Sequence, residues 1–132
     1  MSSVQDASKI IQIPARQAVC YFDIWLARLP FDSARHVQGG VRPVLVVSGN
    51  QANSRSSVVS VIPLTSKRKH MEMSTHICLT GYGLRCPSVV LVEQITTIDK
   101  RELLFPIGHL SINDGTACAI RQSIINFMAL AA

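Results

Sequence analysis

An arginine placed directly before a proline, Arg42-Pro43, is the first feature of the sequence with chemical potential. A proline ring biases the preceding residue toward an extended backbone, which restricts the direction in which the Arg42 guanidinium projects. Pro43 also lacks an amide donor. Its expected settings are therefore a strand edge, a bulge or the first residues of a strand, all of which are open to a ligand.

A second proline, Pro63, precedes a short run of hydroxyl and basic residues. Thr65 and Ser66 present adjacent hydroxyls at the expected end of a strand. The next three residues are cationic: Lys67, Arg68 and Lys69. Hydroxyls beside cations are suited to hold phosphate. Taken singly, an arginine and a threonine are more often a surface charge and a capped strand end, so the residue types alone do not assign a site.

The positive charge of the chain is concentrated in its middle. Residues 35–85 contain seven Lys and Arg residues and one acidic residue, Glu72, for a local balance of +6 in a chain whose formal net charge is +5. A clustered basic segment implies a polyanionic partner. The alternative is a basic surface that merely keeps the protein soluble, and charge by itself leaves both interpretations open.

The four cysteines are widely scattered and form no C-x-x-C pair: Cys20, Cys78, Cys86 and Cys118. In a reducing compartment we expect them to be small buried side chains rather than disulfides. His76 and Cys78 would share one face of a strand and could join His70 and Cys86 as zinc ligands. That spacing matches no familiar zinc pattern, so we expect no metal and no other cofactor.

The length of 132 residues and the apolar content of 48% predict one packed domain. We divide the chain into an N-terminal arm, residues 1–18, and a single domain, residues 19–132. The uncharged apolar runs fall far short of the roughly 20 residues needed to cross a bilayer. The first 18 residues lack the organisation of a signal peptide, so the expected location is the cytoplasm.

Five segments have the β-branched and aromatic composition of strands: 20–29, 41–48, 58–65, 76–80 and 88–98. Polar connections separate them, and together they predict an antiparallel β-barrel. Apolar residues then recur every three or four positions, which predicts an amphipathic helix packed on the barrel. These residues are Ala117, Ile120, Ile124, Phe127, Met128 and Ala131. Ser111 and Asp114 offer its N-terminal cap.

Four segments carry a resemblance to a known family: YFDIWLARL, QGGVRPVLVVS, VVSVIPLTSK and SVVLVEQITTIDKREL. They occur in the order and spacing of the MazF/PemK toxins, and several separate blocks are far more specific than one short motif. The chain resembles this family over residues 19–130. The resemblance implies an SH3-like (CcdB/PemK-type) antiparallel β-barrel with a C-terminal helix, paired as a homodimer, in a bacterial type II toxin-antitoxin system.

The resemblance also implies a sequence-specific endoribonuclease, an mRNA interferase that cleaves single-stranded RNA without a metal. The 2′-hydroxyl of the substrate would be the nucleophile, and the products would be a 2′,3′-cyclic phosphate and a 5′-hydroxyl. By motif position, Arg42 matches the catalytic arginine, which would stabilise negative charge on phosphorus. Thr65 matches the hydroxyl that positions the scissile phosphate. Further RNA contacts are expected from Gln38, Ser66, Lys67, Arg68, Lys69 and Gln94.

The general base is left open by the resemblance. Many family members carry an acid where this chain has Val37, and no acid can act there. PemK-like members instead carry a histidine one residue earlier and an acid in a later acid-Gln pair, which fall on His36 and Glu93. Each could transfer a proton, but His36 could equally be a solvated side chain, and Glu93 could hold Arg42 in place. Phe22 replaces the glycine usual before the aspartate, which could alter the bend of the first strand.

Two other functions are compatible with the same barrel. A CcdB-like gyrase poison would act through the end of its C-terminal helix, but residues 126–132 lack the expected Trp-Gly-Ile tail. An inactive RNA- or protein-binding barrel would be revealed by incubation with RNA in EDTA. A cognate antitoxin with an acidic, disordered segment could also cover the basic face around Arg42 and residues 67–69, in competition with RNA.

Overall fold

The computed structural model describes residues 18–30, 40–67 and 71–130. The strands are β1 (Asp23–Leu29), β2 (Gly40–Val46), β3 (Val58–Thr65), β4 (His76–Leu79), β5 (Ser88–Leu91), β6 (Thr96–Asp99) and β7 (Leu103–His109). The α-helices are α1 (Asn50–Arg55) and α2 (Gly115–Met128), and two 3₁₀ turns span Val92–Gln94 and Lys100–Glu102. Apart from Ala18, the predicted N-terminal arm lies outside the described residues.

Strand β3 is the branch point of the sheet. It pairs antiparallel with β2, β5 and β6, within the strand order β4-β5-β3-β2-β1-β7. The predicted class, mainly antiparallel β with a C-terminal helix, is confirmed. In the described part of the chain the hydrogen-bonded path does not close, because β4 pairs only with β5 and β7 pairs only with β1.

Two glycines bring the open ends of this path into backbone contact. A Cβ added at Gly83 would overlap the carbonyl oxygen of Ile107, and one added at Gly108 would overlap the carbonyl oxygen of Tyr82. Gly83 also has a φ of +88°, a conformation that side-chain-bearing residues rarely adopt. The turn after β4 therefore lies directly against β7, in an approach that only glycine permits at these positions.

Apolar residues are buried on both faces of the sheet. Ile24 and Trp25 are neighbours in β1 but belong to different buried clusters, as do Leu45 and Val44 in β2. Successive side chains of a strand point to opposite faces, so the two clusters lie on opposite sides of the sheet. This double burial fixes the strands from both sides and gives a rigid frame for the residues at their ends.

Helix α2 begins three residues later than a cap at Ser111 with Asp114 in the first turn would place it. Asp114 is its N-cap, and the Asp114 carboxylate accepts a hydrogen bond from the amide of Thr116 at 2.7 Å. The predicted stripe packs on the first buried cluster through Ala117, Ile120 and Ile124. Phe127 and Met128, its later members, are exposed. The helix therefore joins the core through its first three turns, while its last turn projects past the sheet.

The predicted strand at 88–98 is wrong in its continuity. Leu64 pairs with Val90, whereas Val61 pairs with Thr96. The segment from β5 to β6 therefore has three more residues between these two pairs than β3 has. The 3₁₀ turn Val92–Gln94 accommodates these extra residues as a large bulge. The apolar run in the sequence does not reveal this bulge. The bulge arises because β3 pairs in one register with β5 and in another with β6.

The expectation that the cysteines are buried is also wrong for three of them. Cys78, Cys86 and Cys118 are exposed, Cys20 is half-buried, and none of the four forms a disulfide. Neither helix in the described ranges is long and apolar enough to span a membrane.

Candidate functional site

Strands β2 and β3 separate next to Arg42 and Thr65. Their pairing ends at Val44 opposite Pro63, and β3 then pairs with β5 at Leu64 and Thr65. Pro43 has no amide donor with which to extend the ladder. The expectation of an open strand position is confirmed for Pro43, which lies just beyond the last β2–β3 pair, and is wrong for Pro63, which is buried within β3 opposite Val44. Continuing the β2–β3 register would place Arg42 directly opposite Thr65.

A cleft of 710 Å³ opens at this separation. Four of the predicted site residues line it: Arg42, Thr65, Ser66 and Lys67. Two residues that the sequence analysis did not assign to the site also line it, Arg85 from the turn after β4 and Phe105 from β7. Lys67 and Arg85 give the cleft a positive field in addition to that of Arg42. Such a field attracts an anion such as a phosphodiester.

Arg42 is half-buried at the mouth of this cleft. Its Nη1 donates to the carbonyl oxygen of Leu64 at 3.5 Å, the outer limit of a hydrogen bond. Burial lowers the pKa of Arg42 from its ordinary value, yet a guanidinium stays cationic at neutral pH. Partial removal from water strengthens its attraction for an anion, because the local dielectric is lower than that of solvent.

Thr65 ends β3 with its hydroxyl in a turn. The Thr65 Oγ1 accepts a hydrogen bond from the amide of Lys67 at 3.2 Å. A hydroxyl that accepts through a lone pair retains its own hydrogen for donation. This turn places the exposed Ser66 and Lys67 beside Thr65, so one donor hydroxyl and one cation follow each other around the rim of the cleft.

Arg85 and Phe105 reach the site through the contact between the 81–85 turn and β7. The sequence contained a signal for Arg85, since it belongs to the basic middle segment, but no motif distinguished it. Phe105 follows two leucines in a stretch without strand-like alternation, and Pro106 follows it. Both residues were missed because a backbone contact between distant segments, rather than a local pattern, places them.

Glu93 occupies a different part of the molecule. It lies in the 3₁₀ bulge and does not line the cleft, and its Oε2 is 3.0 Å from Nε2 of His76. The side chains of His76 and Glu93 are only 6% and 27% exposed. The interpretation that Glu93 holds Arg42 in place has no support in this geometry. Gln94 belongs to the same turn rather than to a regular strand, and it does not line the cleft either.

The remaining predicted site residues lie outside the described ranges: His36, Gln38, Arg68 and Lys69. Their roles stay predictions. Among the described residues, no group of three or more His, Cys, Asp and Glu side chains is placed to hold a metal ion.

Comparison with known proteins connects this cleft to a family. The profile of the PemK-like, MazF-like toxins of type II toxin-antitoxin systems matches residues 21–127. The chain belongs to this family. The PemK/MazF match includes every cleft-lining residue, from Leu26 to Ile107.

One curated relative is endoribonuclease EndoA of Bacillus subtilis (strain 168), which is 41% identical over 75 residues. The aligned segment covers 55% of this chain and 65% of the relative, so slightly less than two thirds of EndoA is matched. The similarity of this PemK/MazF protein to EndoA therefore covers only part of each chain.

Solved structures share the fold over most of the chain. Toxin MazF-mt6 of Mycobacterium tuberculosis has a TM-score of 0.68 at 25% identity, covering 83% of this chain and 99% of that one. MazF of Deinococcus radiodurans has a TM-score of 0.67 at 22% identity, covering 83% and 94%. A mycobacterial endoribonuclease in complex with its cognate antitoxin has a TM-score of 0.69 at 21% identity, covering 87% and 99%.

The departure from the PemK/MazF pattern at Phe22 has a structural explanation. Phe22 has a φ of +66°, the left-handed region that glycine adopts without strain. Its side chain is fully buried and stacks on Tyr21, with ring centroids 4.3 Å apart. The backbone bend before Asp23 is therefore the one glycine favours, and burial of the aromatic ring offsets the strain of placing phenylalanine there.

Proposed function

We propose that this chain is a sequence-specific endoribonuclease, an mRNA interferase that cleaves single-stranded RNA. The observation that carries the proposal is the gathering of Arg42, Thr65 and Lys67 in one cleft of a PemK/MazF protein. A half-buried cation, a donor hydroxyl and an exposed cation suit a phosphodiester that gains negative charge during reaction. The part-length match to EndoA supports the same activity.

The proposed reaction is an internal transfer at phosphorus. The 2′-oxygen attacks the adjacent phosphorus as its proton leaves, the bond from phosphorus to the 5′-oxygen breaks, and the 5′-oxygen takes up a proton. The products are a 2′,3′-cyclic phosphate and a 5′-hydroxyl. Arg42 stabilises the charge on the phosphoryl oxygens, and its guanidinium N–H groups can donate a hydrogen bond to the leaving oxygen as that oxygen takes up a proton. Thr65 donates to the phosphate and fixes its orientation.

We assign the role of proton acceptor to His36 rather than Glu93. A histidine has a pKa near neutrality, which suits a general base, and His36 precedes Arg42 by six residues. Glu93 is already hydrogen-bonded to His76 and does not line the cleft. The substrate supplies its own nucleophile, so this chemistry requires no cofactor.

Incubation of the purified protein with a long mixed-sequence transcript in EDTA tests the proposal. We expect defined fragments, and sequencing of their ends gives the recognition sequence. In a short RNA spanning a mapped site, one deoxyribose at the attacking position should abolish cutting and leave binding largely intact. Cutting of that deoxy-substituted RNA would disprove the 2′-hydroxyl mechanism. Binding without any cutting would instead identify an inactive RNA-binding barrel.

The family match and the phosphate-suited cleft favour cleavage over the CcdB-like alternative, a gyrase poison without nuclease activity. The exposed end of α2 offers Phe127 and Met128 but no feature that assigns it to gyrase. A supercoiling assay with purified gyrase distinguishes the two functions, since a nuclease leaves supercoiling unchanged.

We further propose that the protein acts as a homodimer in the bacterial cytoplasm and is inhibited by a cognate antitoxin. The structural relatives include MazE-MazF complexes and a toxin bound to its antitoxin. An acidic, disordered antitoxin segment would occupy the basic face around Arg42 and Lys67 in place of phosphates. Toxicity would then be held in check stoichiometrically.

Competition between RNA and antitoxin tests the shared surface. Replacing Lys67, Arg68 and Lys69 by Ser should weaken binding of both ligands, and added salt should weaken RNA binding more steeply because counterions are released from its backbone. The shared-surface proposal fails if the antitoxin leaves RNA binding unchanged or if the triple variant binds both normally. Light scattering of the purified toxin measures its oligomeric state.

A further inference from the structure

An aromatic side chain stands exposed on the wall of the cleft. Phe105 in β7 is 49% exposed, whereas Leu103 at the start of the same strand is buried. Strand β7 pairs with β1 through register shifts on both sides of the Leu26–Phe105 pair, which interrupt its regular alternation. An exposed phenylalanine within a concave site is unfavourable in water unless a ligand covers it.

Phe105 belongs to an apolar row that runs toward the phosphate-suited residues. Leu26 of β1 is the register partner of both Phe105 and Pro43, so the three side chains lie on adjacent strands. Neighbouring strands are about 4.8 Å apart, so Phe105 and Pro43 are separated by roughly 10 Å across the sheet. Arg42 immediately precedes Pro43. Phe105 and Arg42 thus line one cleft from strands that are separated by β1 alone.

The same cleft is cationic. Arg85 and Lys67 line it together with Arg42, and the contact between Gly83 and Ile107 holds the Arg85 turn against β7. A cleft that combines cations with an exposed aromatic ring suits a single nucleic-acid strand. The cations track the backbone, and the ring stacks on a base.

We infer that Phe105 is a base-stacking platform that holds the nucleobase of a nucleotide adjoining the scissile phosphate, and so contributes to substrate selection. This inference rests on the proposed ribonuclease function. Stacking accepts any base in principle, but larger purine rings cover more of an exposed phenyl ring than pyrimidines do. Phe105 therefore acts on binding and positioning rather than on proton transfer.

Matched variants separate stacking from general effects. Phe105→Leu keeps apolar bulk without an aromatic face, and Phe105→Trp enlarges that face. Phe127→Leu is the control, because Phe127 is also exposed, at 45%, but lies near the end of α2 outside the cleft. Binding is measured with RNA carrying one deoxyribose at the mapped cleavage position, and turnover is measured with the all-ribose RNA.

A stacked base is expected to change affinity about 10-fold or more, in line with aromatic platforms for single strands. Phe105→Leu should therefore raise the Kd and KM by about that factor, while kcat changes little and Phe105→Trp restores binding. Abasic substitution, moved one position at a time along the RNA, should locate one nucleotide beside the cleavage point. At that position the wild type should bind the abasic RNA more weakly than the intact RNA. The Phe105→Leu variant should bind the two RNAs equally, because it has already lost the stacking contact.

Three results would overturn the inference. Phe105→Leu could bind and cut like Phe127→Leu, which removes Phe105 from the site but leaves the ribonuclease intact. Abasic substitution could weaken both proteins equally at every position, so that no base acts through Phe105. Light scattering could show that Phe105→Leu alone loses its dimeric mass, which makes the ring a contact between copies. Failure of the wild type to bind or cut any RNA would remove the proposed function itself, and this inference with it.

Discussion

The Nη1 atom of Arg42 lies 3.5 Å from the carbonyl oxygen of Leu64, the residue that precedes Thr65. This contact links the ends of β2 and β3 at the point where their pairing has stopped. A guanidinium has five N–H donors, and the hydrogen bond to the Leu64 carbonyl uses one of them. Strand β3, which carries Thr65, thus also orients Arg42. The guanidinium and the threonine hydroxyl can therefore approach the same ligand from fixed positions.

Substitution of Arg42 should therefore remove catalysis without unfolding the protein. Arg42→Ala is expected to lower kcat by about 100-fold or more, because a contact that strengthens in the transition state is lost. Arg42→Lys should recover little, since an ammonium cannot reproduce the planar array of donors. Arg55→Ala, at the exposed end of α1, is the matched control. Equal rates for Arg42→Ala and Arg55→Ala would exclude Arg42 from the reaction.

At Thr65 the hydroxyl, and not the shape of the side chain, should determine activity. Thr65→Val keeps the branched shape and removes the donor, so kcat should fall by about 100-fold. Thr65→Ser keeps the hydroxyl and should stay within about 10-fold of the wild type. Both rates are measured on the mapped short RNA, with thermal unfolding as a check of folding. A Thr65→Val protein as active as Thr65→Ser would show that the hydroxyl is dispensable.

Glu93 should prove structural. In Glu93→Gln, an amide oxygen can still accept from His76 but cannot take a proton as a base, so turnover should remain near that of the wild type. Glu93→Ala leaves the nearly buried His76 without this partner and should lower the free energy of unfolding by about 1–3 kcal/mol. Urea denaturation and cleavage rates are measured on both variants. A stable Glu93→Gln protein without activity would instead make Glu93 the base.

Adding a methyl group at Gly108 should disturb the cleft, although Gly108 does not line it. Gly108→Ala forces the added Cβ against the Tyr82 carbonyl, which displaces the turn that carries Arg85 from β7. Such overpacking is expected to lower the free energy of unfolding by about 1–3 kcal/mol and to weaken RNA binding. Gly115→Ala is the control, because its Cβ would meet open space at the start of α2. Identical unfolding midpoints for the two variants would contradict the close approach.

The hydrogen bond from Tyr82 to Asp114 should appear in the pH dependence of stability. Tyr82 donates to the carboxylate at 2.5 Å, and this bond, with the Thr116 amide, holds the pKa of Asp114 below its ordinary value. A lowered carboxyl pKa stabilises the fold above the unfolded pKa of about 3.9, and this stability is lost as pH falls through the folded value. Removal of the tyrosine hydroxyl should therefore lower the free energy of unfolding less in acid than at neutral pH.

Denaturation of wild type and Tyr82→Phe across this range measures that dependence. Their difference in unfolding free energy should be constant from pH 7 to about pH 5 and should shrink below about pH 4. Tyr21→Phe serves as the control, since Tyr21 does not contact Asp114 in the described structure. A difference that is the same at every pH would show that the bond does not depend on the charge of Asp114.

The sequence was sufficient for the parts of the fold that rest on local pattern. The predicted bounds of β3, residues 58–65, agree with the structure, and of the two capping candidates Ser111 and Asp114 it is Asp114 that caps α2. A run of strand-forming residues and a capping side chain are short-range signals, so each can be recognised without knowledge of the rest of the chain. Pro43 likewise marked the separation of β2 and β3, because the loss of an amide donor acts at the proline itself.

Features that depend on distant partners were not predictable in this way. The predicted polar connection at 49–57 folds into α1, where the Asn53 side chain bonds to Ser48 and its carbonyl accepts from Lys100. Strand β7 went unnoticed because Pro106 and Gly108 are poor strand formers, and its partner β1 lies at the other end of the domain. The bulge at Glu93 depends on the register of β3 with two separate segments.

The pairing of β1 with β7 determines when, during synthesis, a molecule becomes complete. The ribosome delivers the chain from its N-terminus, so β1, β2 and β3 emerge well before Leu103–His109. Until then the cleft lacks the wall that Phe105 provides, although Arg42 and Thr65 are already present. The cleft is complete only when β7 has paired with β1. Pairing between segments so far apart in the sequence is a slow folding step. A growing chain therefore lacks one wall of the cleft until β7 has emerged and paired with β1.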